Sequence, residues 1–92
     1  MVYSLVYTNQ AERDLDRMDK SVALRILKKM DHFMELVDPF VQAKQLTGFE
    51  IPTYRFRVGG YRVVFRKDPK TNYLVVLVVR RGGHRKEVYK PL

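Results

Sequence analysis

Two short runs, Thr53–Val58 and Tyr61–Lys67, alternate aromatic or β-branched residues with arginines, and a Gly59-Gly60 pair separates them. No other feature constrains the fold as tightly. Alternation at a period of two sends successive side chains to opposite faces of an extended strand, and two glycines supply the positive φ angles of a two-residue hairpin turn. With Gly59-Gly60 as the loop, Val58 pairs with Tyr61, Arg57 with Arg62, Phe56 with Val63, Arg55 with Val64 and Tyr54 with Phe65. Tyr54, Phe56, Val58, Tyr61, Val63 and Phe65 then share a face that needs a cover. Arg55, Arg57, Arg62 and Arg66 share the other.

The rest of the chain supplies the cover. Residues 2–7 are β-branched and aromatic and read as a strand, after which Asn9 and Glu12 have the spacing of a capping box. Ala11, Leu15 and Met18 follow at helical steps. A second helix starts at Asp19 and carries the stripe Val22, Ile26, Leu27, Met30, Phe33, Met34 and Val37, which the Asp38-Pro39 step stops. These Met and Phe residues read as core, and His32, off the stripe, as a solvated or capping side chain. A connector over 40–48 includes Lys44, residues 67–72 with Asp68-Pro69 form a turn, and residues 73–80 make a nearly continuous apolar strand, which suits a central position. The order β-α-α-β-β-β predicts an α+β fold. It has an N-terminal strand, a two-helix hairpin, then a three- to four-stranded antiparallel sheet with the helices packed on one face. Ninety-two residues, 46% of them apolar, read as a single domain over 1–92.

Charge separates the two halves. Residues 1–47 hold seven basic and seven acidic side chains, whereas residues 48–92 hold eleven basic and three acidic, which accounts for the whole net charge of +8. Localised basicity is the footprint of a chain that meets phosphate backbones or an acidic partner, and a solubilising surface is the plainer alternative. The sequence has no cysteine, so disulfides and thiolate metal sites are unavailable. No leader-like segment or membrane-length apolar run is visible, and the chain reads as cytoplasmic, with no membrane partner and no metal or cofactor.

The hairpin places Arg57 directly opposite Arg62. Like charges in cross-strand pairs destabilise a sheet by roughly 0.2 to 1 kcal/mol, so folding alone gives no reason for the arrangement, whereas an anion between them does. Planar guanidinium groups bind phosphates bidentately. If the next turn is symmetric, Tyr73 and Arg81 extend the same face. The tail Arg80-Arg81-Gly82-Gly83-His84-Arg85-Lys86-Glu87-Val88-Tyr89-Lys90 adds five cations, two glycines that allow a close backbone approach, and in His84 a group that titrates near neutrality.

The sequence resembles the RelE family of toxins, in the RelE/ParE superfamily. The resemblance rests on Leu46-Thr47-Gly48, on the run from Tyr54 to Phe65 and on Gly83-His84-Arg85-Lys86-Glu87-Val88-Tyr89, and it spans nearly the whole chain. It implies a ribosome-dependent endoribonuclease that enters the A site and cleaves mRNA by 2′-hydroxyl attack, without a metal, and that a RelB-like antitoxin holds inactive. Under that resemblance Arg55 and Arg57 lie at the scissile phosphate, Arg62 stabilises the transition state, and Tyr89 stacks on or orients the substrate. Arg81 and His84 complete the catalytic set, and Arg66, Arg80, Arg85 and Lys86 bind RNA. Some relatives have lysines where this chain has Arg55 and Arg57, and the high pKa of arginine makes it a poor base. Two other functions stay open: a ParE-like inhibitor of DNA gyrase, and a basic nucleic-acid-binding domain without catalysis.

Overall fold

A computed structural model describes residues 3–82 of the chain. It contains β1 (Ser4–Tyr7), α1 (Asn9–Asp16), α2 (Lys20–Met34), a 3-10 turn (Pro39–Gln42), β2 (Ala43–Leu46), β3 (Thr53–Val58), β4 (Tyr61–Lys67) and β5 (Tyr73–Arg81). The five strands form one sheet in the order β1-β5-β4-β3-β2, antiparallel except where β1 lies parallel to β5. The expected α+β architecture holds. Among the described residues no helix is long and apolar enough to cross a membrane.

The hairpin registers as the alternation predicts, with Arg57 opposite Arg62 and Val58 opposite Tyr61, but of the two turn glycines only Gly59 takes a positive φ, 57°, and Gly60 does not. The apolar face of β3 and β4 (Phe56, Val58, Val63, Phe65) joins Leu74, Val76 and Val79 of β5 and meets Ile26, Met30 and Phe33 of α2 in one buried cluster. Three phenylalanine rings stack through its centre. Phe33 and Phe56 lie 4.3 Å apart between ring centroids, Phe56 and Phe65 4.4 Å, and each such pair adds about 0.5–1.5 kcal/mol beyond its buried area.

Several boundaries differ from the sequence reading. Thr8, rather than Asn9, caps α1, because its hydroxyl accepts from the Ala11 amide at 3.1 Å while donating to the Leu77 carbonyl at 2.8 Å, tying helix and sheet together. Helix α1 ends at Asp16, short of Met18. Helix α2 ends at Met34, so Val37 falls outside it and is 90% exposed, and Asp38 instead caps the 3-10 turn through the Phe40 amide. The 40–48 connector contains β2, a polar edge strand with exposed Lys44 and Gln45. Charges on an edge discourage pairing with other chains, and they also erase the alternation that would have marked the strand.

Strand β5 is interior, as its apolar run predicts, lying between β1 and β4, and β4 is the middle strand of the five. The first half of β5 is flanked by β1, but β1 ends at Tyr7, and α1 takes its place alongside the second half. There the buried carboxylate of Asp14 accepts the Val79 amide at 2.9 Å, so a helix side chain satisfies a backbone donor that no strand reaches. The half-buried phenol of Tyr7 has its pKa pushed up to about 12, first by burial and then by the negative charge of Asp31.

Candidate nucleic-acid interface

The face of the sheet turned away from the helices carries its cations in cross-strand rows. Arg57, Arg62 and Arg80 stand side by side on β3, β4 and β5. The next row runs Lys44, Arg55, Val64, Val78, and the one beyond it pairs Thr53 of β3 with Leu46 and sets Arg66 against Val75. The predicted grouping of Arg55, Arg57, Arg62 and Arg66 on one face is therefore what the strands produce, with Lys44 added from the strand that the sequence did not reveal.

Arg81 does not join them. Between Val64 and Phe65 the pairing with β5 shifts, so that Val64 faces Val78 while Phe65 faces Val76, and Leu77 is left over as a bulge. Beyond it the parity of β5 inverts. Arg80 lies opposite Arg62, and Arg81 lies opposite Tyr61, on the helix side of the sheet's end. The symmetric turn assumed for Tyr73 and Arg81 thus holds only before the bulge. His84, Tyr89, Arg85 and Lys86 lie outside the described residues.

The members of the cationic face are not equivalent. Arg80 is committed locally: its guanidinium donates to Asp14 at 2.9 Å, on a carboxylate 4% exposed that also accepts from Gln10 and the Val79 amide. Arg66 is anchored by donation from Nε to the hydroxyl of the fully buried Thr53 at 3.0 Å, with its guanidinium 5.8 Å from the Phe49 ring. Arg57 is exposed and Arg62 half-buried.

Gly82 holds Arg62 in place. Its amide donates to the Gly60 carbonyl at 2.7 Å, bringing the backbone after β5 against the side chain of Arg62 so closely that a β-carbon there would lie 2.8 Å from Nε and 3.0 Å from Cγ. Only glycine leaves that room. Arg57, Arg62, Gly59, Gly60, Tyr61 and Gly82 line one cleft of about 230 Å³ at the hairpin end of the sheet. A cleft walled by two guanidinium groups and three glycines lets an anionic group approach both charge and backbone, which is the geometry that phosphate binding uses.

Over residues 5–89 the sequence matches the family described as the ParE toxin of type II toxin-antitoxin system, parDE. The chain belongs to that family of toxins. The comparison with curated proteins gives no match. Among solved structures, the chain is similar to the toxin-antitoxin complex RelBE2 from Mycobacterium tuberculosis, with 24% identity and a TM-score of 0.75 over 88% of this chain and 99% of that one. It is similar to the RelE-RelB complex from Pyrococcus horikoshii OT3 at 24% identity, TM-score 0.70, over 90% and 98%. The YoeB/ParE toxin from Agrobacterium tumefaciens is similar at 20% identity, TM-score 0.65, over 87% and 99%. These likenesses concern the fold.

Proposed function

We propose that this toxin is a ribosome-dependent endoribonuclease that cleaves mRNA in the A site, and that a RelB-like antitoxin holds it inactive. The observation that supports this most is the opposition of Arg57 and Arg62 in a cleft shaped by Gly82. In the reaction the 2′-oxygen gives up its proton and attacks the adjacent phosphorus, a phosphorus to 2′-oxygen bond forms, and the bond to the 5′-oxygen breaks as that oxygen takes a proton from water, leaving a cyclic phosphate and a free 5′-hydroxyl. Charge builds on the non-bridging oxygens of the five-coordinate phosphorus. Preorganised guanidinium groups stabilise that charge more than they stabilise the substrate, which is the requirement for catalysis.

Arg62 holds the phosphorane charge, and Arg57 and Arg55 bind the scissile phosphate. Neither is suited to take the 2′-hydroxyl proton, because guanidinium stays protonated at any physiological pH. That task goes to His84, and stacking of the substrate to Tyr89. Arg66, Arg85 and Lys86 steer the strand. Arg80, committed to Asp14, adds little net charge to the row, and Arg81 approaches from the rim beside Tyr61.

Primer extension on a translated transcript tests the proposal. Wild-type protein should give cuts in register with codons, and Arg62→Ala should give none while keeping its circular dichroism spectrum. Intact transcripts in the presence of growth-arresting protein would reject it. The ParE family match favours keeping a second, ParE-like reading, which the sequence resemblance left open as inhibition of DNA gyrase on the same scaffold. A supercoiling assay separates the two, since the ribonuclease leaves gyrase untouched.

A further inference from the structure

We propose that helix α2 carries a second phosphate-binding face, continuous with the sheet cleft through Arg57, along which the same RNA strand continues beyond the scissile bond. The inference rests on the RNA-cleaving reading and adds to it where the strand runs. Arg25, Lys28, Lys29 and His32 recur on α2 at i, i+3, i+4 and i+7, all exposed, and so project from a single stripe of the helix. With Arg57 and Gly59 they line a groove of about 420 Å³ between α2 and the hairpin tip. None of the described residues that line it is acidic.

Counting by halves hides this surface. Residues 1–47 are neutral in sum, but four acidic side chains (Glu12, Asp14, Asp16, Asp19) precede α2, and Asp31 faces Tyr7 of β1. The groove stripe keeps the cations. Like charges three and four residues apart weaken a helix, so packing gives no reason for the stripe, just as it gave none for Arg57 opposite Arg62. Lys29 is held with its ammonium 5.6 Å from the Phe33 ring, which fixes one of these charges against the core.

The chemistry selects the occupant. Arg57 and Gly59 belong both to this groove and to the smaller cleft that contains Arg62, so one track of cations passes around the hairpin tip from the sheet to the helix. A phosphodiester backbone has the regular charge to follow it. An amphipathic peptide docks through apolar anchors at i, i+3, i+4 and i+7, and Val58 is the sole apolar side chain among the described lining residues.

The test measures affinity of the full-length protein for labelled oligoribonucleotides as salt is varied. One probe has about ten nucleotides, within the usual span of single-strand sites, and the other is a trinucleotide, short enough to engage the sheet cleft without running along α2. Lys28→Ala/Lys29→Ala should flatten the salt slope for the long probe by about 1.4, from roughly 0.7 per lost phosphate contact on a single strand, and leave the trinucleotide affinity unchanged. A control pair of exposed lysines elsewhere, Lys20→Ala/Lys70→Ala, should keep the wild-type slope. An unchanged slope in the α2 variant overturns the inference, as does an equal loss in the control, which would mean net charge alone. Loss of antitoxin affinity with RNA binding intact would also overturn it, making this face a protein interface. The sheet reading fails separately, if Arg57→Ala/Arg62→Ala binds the trinucleotide like wild type.

Discussion

Replacing Gly82 by alanine is expected to slow RNA cleavage without disturbing the fold. The added β-carbon would meet Nε, Cγ and Cδ of Arg62 at 2.8, 3.0 and 3.1 Å, where ordinary contact between such atoms lies near 3.5–4.0 Å. All three atoms belong to the middle of the side chain, so rotating the guanidinium tip gives no relief, and Arg62 must shift by the better part of an ångström or change rotamer. Misplacing a catalytic group by about 1 Å can cost roughly a hundredfold in rate. The φ angle of Gly82 is not in the left-handed region, so alanine adds no backbone strain, and we expect global stability to move by less than about 1 kcal/mol. Wild-type protein is the reference for the rate. Single-turnover cleavage on programmed ribosomes gives the rate, and the Nε–H resonance of Arg62 reports the displacement without reference to activity. If Gly82→Ala cleaves like wild type while that resonance has moved, Arg62 is not positioned for catalysis by this contact. If Gly82→Ala slows cleavage further in an Arg62→Ala background, the two residues act independently and the coupling is refuted.

Three further outcomes follow from contacts already described. Arg57→Gln should raise stability by roughly 0.2 to 1 kcal/mol at low salt, with the gain fading as salt screens the pair. Urea unfolding at two ionic strengths checks this, and a loss of stability would show that Arg57 is held by favourable packing. Asp14→Ala should cost about 1.5–3 kcal/mol, because a charged acceptor of the Val79 amide is removed; hydrogen exchange should quicken first at Val79. For Tyr7, the unfolded phenol ionises near 10 and the folded one near 12, so the native state holds the proton more firmly. Its contribution to stability is complete below pH 10 and is lost as pH climbs through about 12. Tyr7→Phe should abolish that alkaline slope, and an unaltered profile would mean that Tyr7 is as well solvated folded as unfolded.

The hairpin was legible because its two periodicities agree: Phe56, Val58, Val63 and Phe65 mark one face, the arginines the other, and Gly59-Gly60 fixes the register between them. Helix α2 was legible for the same reason. Strand β2 was not, since Ala43–Leu46 has no apolar rhythm and is placed only by pairing with β3. The parallel attachment of β1 to β5 depends on contacts nearly seventy residues apart in sequence, such as Thr8 to Leu77, which no local pattern encodes. Arg81 was misplaced because a bulge leaves no mark in a run as uniformly apolar as Val75-Val76-Leu77-Val78-Val79. The stripe Arg25, Lys28, Lys29, His32 was present in the spacing, but summing charge over half the chain averaged it away. Gly82 was visible as a glycine that permits close approach; that the approaching partner is Arg62 needed the tertiary structure.

The surplus residue in β5 has a consequence for reading related proteins. Leu77 sits between two segments that are each in register with β4, so a homologue lacking it keeps Val78 against Val64 and Arg80 against Arg62, its cationic row undisturbed. Numbering two such chains from a shared N-terminus would then equate Arg80 of this chain with the counterpart of Arg81 in the other, and so assign one guanidinium to the wrong side of the sheet. Correspondence between these toxins is safer when it is traced rung by rung from the Gly59-Gly60 turn.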